Sequence, residues 1–163
     1  MELNYATYLR LPELLALQTP QSVPEEHDEL LFITIHQVTE LWLQQLLHEL
    51  DAVRRDLHHG EVSSVTAVLT RVRRILVVLV EQMDVLETMT PVSFSAFRNR
   101  LQHASGFQSM QFRELEFVLG HKRAAVLDLY PADLPGIERA RHRLREPSVN
   151  DCLYDTLERR GVA

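Results

Sequence analysis

The sequence predicts an all-α protein, a helical bundle built on two long antiparallel helices. Three observations carry this. Apolar residues recur at spacings of three and four through Leu30–Leu57 and again through Val65–Leu86. Gly60 and Pro91 interrupt that pattern where each run ends. No strand-like alternation, internal repeat or low-complexity tract occurs in the 163 residues.

The chain opens on Asn4–Gln18 (NYATYLRLPELLALQ), with two tyrosines three apart and a short helix that Pro12 can start at its first position. Such an aromatic arm needs a surface, either its own domain or a neighbouring subunit. Thr19–Glu26 (TPQSVPEE) breaks the pattern, and Glu25, Glu26 and Asp28 then supply the acidic chemistry of a helix N-terminus. The first long helix is predicted from Glu25 to His59. At ~100° per residue, Leu31, Ile35, Val38, Trp42, Leu46, Val53 and Leu57 form its apolar face, with Phe32, His36, Leu43 and Leu47 along the edge. Gln37, Gln44, Gln45, His48, Asp51 and Arg55 mark the wet side. Gly60 suits a left-handed stop.

The second long helix is predicted from Val62 to Met89, capped by Ser63 or Ser64, with Val65, Val68, Leu69, Val72, Ile75, Leu76, Leu79, Met83 and Leu86 as its apolar positions. Pro91 ends it. Ser93 can cap the next helix, on which Phe94, Phe97, Arg98 and Leu101 share one face. Gln102–Gly106 is a small-residue break, and Phe107–Leu119 reads as a further helix with Phe107, Met110, Phe117 and Val118 in the core. Weaker helices follow near Lys122–Leu129, Leu134–Leu144 and Val149–Arg160.

Length sets the scale: one domain over residues 1–163, burying roughly 70% of its unfolded surface. Seventeen basic against 23 acidic residues, a net charge of −6, argue against a nucleic-acid partner, so Arg71, Arg73 and Arg74 read as a solvated helix face. A single cysteine, Cys152, forms no intramolecular disulfide, and no secretory signal or apolar run of about 18 residues is present. A soluble cytoplasmic protein with no membrane partner is expected.

No P-loop, GxGxxG, HExxH, CxxC or EF-hand pattern is present, nor the paired Glu-x-x-His of di-iron bundles. A mononuclear metal site joining His36 to His48 or His103 stays open beside a scatter of exposed histidines. His58 and His59 suit a helix C-terminus and need no metal. What remains is an aromatic pocket formed by His36, Phe32 and the Phe94/Arg98 face. A guanidinium among two phenylalanines and a leucine calls for an anion. It is answered either by a protein carboxylate, by snorkelling to water, or by the carboxylate of a ligand.

Two stretches, HDELLFITIHQVTELW and FRNRLQHASGFQSMQFRELEFVLG, closely resemble the tryptophan 2,3-dioxygenase family, and the likeness runs from NYATYLRLPELLALQ to PSVNDCLYDTLERRG. The resemblance implies a helical, haem-containing homo-oligomer, a dimer or tetramer, that inserts dioxygen across the indole C2–C3 bond of L-tryptophan. By position, His36 would be the distal histidine near the indole nitrogen, Phe32 a wall of the indole pocket and Arg98 the carboxylate clamp. Phe94 and Leu101 would line the substrate side, and Ser105 would stand in the loop around haem and ligand. Tyr5, Tyr8 and Leu9 match the arm exchanged into a neighbour's pocket. Phe94 stands where the family has a tyrosine whose hydroxyl helps bind the carboxylate. The family's proximal haem histidine follows the equivalent of Gly161, so the resemblance assigns no axial ligand in this chain. It thus implies haem-dependent oxygenation of an aromatic amino acid or indole, with a haem-free binding or scaffold protein and a non-haem metalloenzyme as the other readings.

Overall fold

The computed structural model describes residues 3–102 and 104–162, and no strand occurs among them. The all-α class holds. Two compact units make up the chain: the N-terminal residues through Val38 with Gln82–Ala104, and Thr39–Glu81 with the residues from Ser105 onward. Two long helices, α3 (His27–His59) and α4 (Val62–Leu86), contribute to both units.

The first unit begins with the short helices α1 (Tyr5–Leu9) and α2 (Leu11–Leu14). Asn4 caps α1 reciprocally: its Oδ1 accepts from the Thr7 amide at 3.0 Å, and the Thr7 hydroxyl accepts from the Asn4 amide at 2.9 Å. Arg10, at φ 53°, separates the two helices, and Pro12 lies in the first turn of α2 as its rigid φ favours. Neither helix buries a residue.

Helix α3 starts at His27 rather than Glu25. The Glu26 amide is drawn to the Ser22 hydroxyl at 2.9 Å, which holds the preceding residues in a turn. At the far end α4 stops at Leu86, short of Met89. Helix α5 (Pro91–Arg98) is capped by Thr90 and not by Ser93: the Thr90 hydroxyl accepts from the Ser93 amide at 3.1 Å. Because Pro91 needs no amide partner it occupies the first helical position, which moves the cap one residue ahead of it. A 3-10 turn, Asn99–Leu101, follows and ends at Gln102, at φ 50°.

In the second unit α3 and α4 meet about Gly60, whose φ of 78° makes the left-handed stop. Leu43, Leu46, Leu50, Val53 and Leu57 pack with Val65, Val72 and Ile75. The centre of the α3 stripe is therefore rotated toward the predicted edge: Leu43 and Leu47 are buried while Trp42 is only partly so. On α4 the apolar arc is wider than its partner, and Leu69 and Leu76 stay exposed. Ser63 and Ser64 lie inside α4, past its first residue. The Ser64 hydroxyl instead donates to the Asp56 carboxylate at 2.5 Å.

Helix α6 (Met110–Val118) starts three residues later than the periodicity suggests, with Ser109 as its cap. Phe107 precedes it in a 3-10 turn and is 80% exposed, which corrects its core placement. The cause is the switch from α to 3-10 winding, which alters the angle between Phe107 and the α6 positions that do pack. Met110 and Phe117 join Leu127, Ile137 and Ala140 in a second cluster formed with the 3-10 segment Ala124–Leu129 and α7 (Ile137–Arg145). Helix α8 (Val149–Arg159) is opened by a Ser148/Asp151 capping box. Its Thr156 hydroxyl and Arg159 guanidinium donate to the Leu57 carbonyl, both at 2.9 Å, and so satisfy an end of α3 that has no intrahelical donor.

Candidate functional site

Phe32 and His36 are four residues apart in α3 and therefore stack on one face. Their ring centroids stand 4.1 Å apart at a tilt of 36°. His36 is half-buried, and its Nδ1 lies 2.7 Å from the Phe32 carbonyl oxygen. A carbonyl only accepts, so Nδ1 carries a proton, and it is the Nε2 of that tautomer that can present a lone pair. This contact fixes both the tautomer and the ring's orientation.

Phe32 continues into a triangle of phenylalanines. Its centroid is 5.8 Å from Phe94 and 5.6 Å from Phe97, and Phe94 meets Phe97 edge-on at 5.5 Å and 88°. Phe97 is fully buried (0% exposed) and anchors α5. Offset and edge-on pairs of this kind contribute about 0.5–1.5 kcal/mol each beyond their burial. Sequence reasoning placed Phe97 on the face but missed it as the foundation of the site. Its spacing from Phe94, three residues, was the available signal.

Arg98 does not share the buried side of that face. It is the last residue of α5 and exposed, about 100° round from Phe97, and its Nη1 reaches only the Gln102 carbonyl, at 3.5 Å. No carboxylate pairs with it among the described residues. Leu101 is half-buried but lies in the 3-10 turn, where helical spacing from Phe94 no longer applies.

The remaining predicted site residues are each exposed or outside the described residues. Ser105, in the second unit, is exposed, and its hydroxyl accepts from the Phe107 amide at 3.3 Å as the cap of the 3-10 turn. Tyr5 and Tyr8 are 76% and 70% exposed, and Leu9 is exposed as well. His48 is exposed, and His103 lies outside the described residues. Among the described residues no group of three or more His, Cys, Asp or Glu side chains is arranged to hold a metal ion.

Two polar residues of the first unit escaped sequence reasoning. Glu29, on the first turn of α3, is 0% exposed and accepts from the Gln21 and Ser22 amides at 2.8 and 2.9 Å and from the Ser22 hydroxyl. Burial pushes its carboxyl up, but the Ser22 hydroxyl, the Gln21 and Ser22 amides and the charge of Arg100 together hold it below the usual value. Gln37, next to His36, bonds to Leu17 and Gln18.

Fold and site together define an all-α protein with an aromatic cluster, a histidine whose Nε2 faces away from its Nδ1 bond, and Arg98, which meets no carboxylate among the described residues. The tryptophan 2,3-dioxygenase family model matches residues 1–132, and the chain belongs to that family. It is 52% identical to the tryptophan 2,3-dioxygenase of Herpetosiphon aurantiacus over 161 residues, covering 99% of this chain and 62% of the relative. It is also 52% identical to that of Anaeromyxobacter dehalogenans over 159 residues, covering 98% and 59%, and 45% identical to that of Kineococcus radiotolerans over 160, covering 98% and 56%. The chain thus spans about three fifths of the length of the curated relatives it matches.

Proposed function

We propose that this chain binds L-tryptophan and serves the oxygenation of its indole ring. The observation that carries the reading is the His36 contact. With Nδ1 committed to the Phe32 carbonyl, Nε2 is left to accept the indole N–H of a ring lying against Phe32 and Phe94. Arg98, without a protein carboxylate, is the group for the amino acid's own carboxylate, held by charge-assisted hydrogen bonds worth about 1.5–3 kcal/mol. In this reading His36 orients the ring and holds its N–H, the phenylalanines exclude water, and Arg98 fixes the end remote from the chemistry.

The family is haem-dependent, and haem supplies the dioxygen chemistry. Haem iron needs an axial donor. His36 is the one imidazole in the aromatic cluster, and its open nitrogen serves the indole, so the residues of this site fit the substrate and not the iron. The same observation favours a second reading, a haem-free protein that binds the aromatic amino acid. An absorption spectrum of protein from haem-supplemented cells separates the two: a strong Soret band supports the oxygenase, and its absence with L-tryptophan binding intact supports the binder.

Oligomerisation belongs to the same proposal, with the arm of Tyr5, Tyr8 and Leu9 seated on a neighbouring copy, in a dimer or tetramer. The exposure of these apolar side chains supports it. Sedimentation is expected to show more than a monomer at micromolar concentration, and a monomer would overturn it. A cytoplasmic setting is the accompanying expectation; among the described residues no helix is long and apolar enough to cross a membrane.

A further inference from the structure

The segment between the arm and α3 is tied to α3 at two points, with His36 beside the second. At the first, Glu29 gathers three donors from Gln21 and Ser22, and the Ser22 hydroxyl in turn accepts from the Glu26 amide at 2.9 Å. At the second, the Gln37 side chain is used at both ends: Oε1 accepts from Gln18 Nε2 at 2.6 Å, and Nε2 donates to the Leu17 carbonyl at 3.0 Å. Gln18 Nε2 also reaches the Leu14 carbonyl at 3.0 Å, the last residue of α2. A short polar relay therefore runs from the end of α2 into α3, one residue from His36.

The two ties are about 12 Å apart along the helix, and residues 17–22 run between them. Glu29 and His36, seven positions apart, lie within about 20° of one another around α3. Among the described residues of the arm beyond the ties none is fully buried: Tyr5, Tyr8 and Leu15 are exposed and Leu11 is half-buried. Its direction must then be set largely at its root, where a fully buried carboxylate with three donors is a costly arrangement unless all of them are kept.

We propose that Glu29 and Gln37 are positioning residues that latch residues 17–22 along α3, so that the departure of the N-terminal arm and the placement of His36 are set by one polar tie. The proposal rests on the reading given above, in which the ligand lies by His36 and the arm seats on a neighbour. It predicts that loosening the latch frees the arm and weakens the site without unfolding the helix.

Hydrogen exchange on the full chain tests this first, since it needs no ligand. Gln37→Ala is expected to speed exchange of the amides of residues 11–18 at least tenfold, and Glu29→Gln those of residues 19–26, while the amides of Ile35–Leu50 stay as slow as in the unaltered protein. Equal acceleration in α3 and in the arm, or no change in the arm, overturns the latch whether or not L-tryptophan binds. Calorimetry then asks whether Gln37 acts through the arm. Gln37→Ala should weaken L-tryptophan binding about tenfold, the worth of two hydrogen bonds, and Tyr5→Ala/Tyr8→Ala should weaken it too. The combined variant should lose little more than the worse of the two. Fully additive losses overturn the coupling, whereas failure of the unaltered protein to bind L-tryptophan, with the exchange result upheld, overturns the ligand reading and leaves the latch standing.

Discussion

Arg98 of the first unit and the ion-paired arginines of the second are bonded in opposite ways. In the second unit Arg143 makes a two-pronged contact with Asp51, 2.6 Å on each side, and shares Glu146 with Arg54, whose own bonds to Glu146 and Asp51 are 3.1 and 3.2 Å. Arg71 reaches both oxygens of Glu49 at 2.7 and 2.8 Å, and Arg113 bonds to Glu116 at 2.5 Å. In the first unit Arg98 stands beside an aromatic cluster with one long bond to a carbonyl. Those second-unit arginines each meet a carboxylate, since a partly buried guanidinium left unpaired is costly, even though the buried Nε atoms of Arg54 and Arg113 make no hydrogen bond. An arginine with no carboxylate, next to an aromatic surface, has its strongest hydrogen bonds still to make.

That contrast can be broken at its most heavily bonded point. Asp51→Ala leaves Arg54 and Arg143 short of an acceptor and is expected to lower unfolding stability by about 3 kcal/mol in urea titration. Arg98→Ala, at an exposed position, should change stability by less than about 0.5 kcal/mol in the same measurement. Comparable losses would erase the distinction between the two arginines.

Acid sharpens the contrast next. Burial pushes the Glu49 carboxyl up, but bonds from Arg71 and Gln45 and the charges of Arg71 and His48 hold it below its ordinary value of 4.5. A carboxyl depressed in the folded state adds stability above its unfolded pKa and loses it as pH falls through the folded value. Stability should therefore decline below about pH 4.5, and Glu49→Gln should flatten that decline while lowering stability at neutral pH. An unchanged acid limb in the variant would show the pairing to be inconsequential.

The smallest effect lies on the ligand side. Phe94→Tyr supplies a hydroxyl where the resemblance implies one, and should strengthen L-tryptophan binding by about 0.5–1.5 kcal/mol without affecting indole. Equal gains for both ligands would mean that the hydroxyl does not meet the carboxylate.

How far the sequence carried the fold and site depends on the length scale of each signal. Periodicity sustained over eight turns made α3 legible, and Gly60 its end, because many residues vote on one pattern. Caps rest on single residues, so Ser93 was read as the cap, while Pro91 in the first turn puts the cap at Thr90. Phe107 read as core because a 3-10 turn and an α-helix share their apolar composition and differ only in winding. Asp51 sat on the wet face of the helical wheel, and only folding brings Arg143, 92 residues away, onto it. Glu29 went unread, since nothing local marks Ser22 as its partner. The Phe32/His36 pair was visible from its four-residue spacing, whereas the same spacing placed Arg98 with Phe94 although its guanidinium is exposed. The proton on Nδ1 was not visible, because it depends on a carbonyl that every residue carries.

The most direct test of the account compares L-tryptophan with indole by calorimetry on the unaltered protein and on Arg98→Ala. If the unpaired guanidinium is the clamp for a ligand carboxylate, the variant binds L-tryptophan roughly ten- to a hundredfold more weakly and indole, which has no carboxylate, nearly as before. Equal losses for the two ligands, or no binding of L-tryptophan by the unaltered chain, would contradict it.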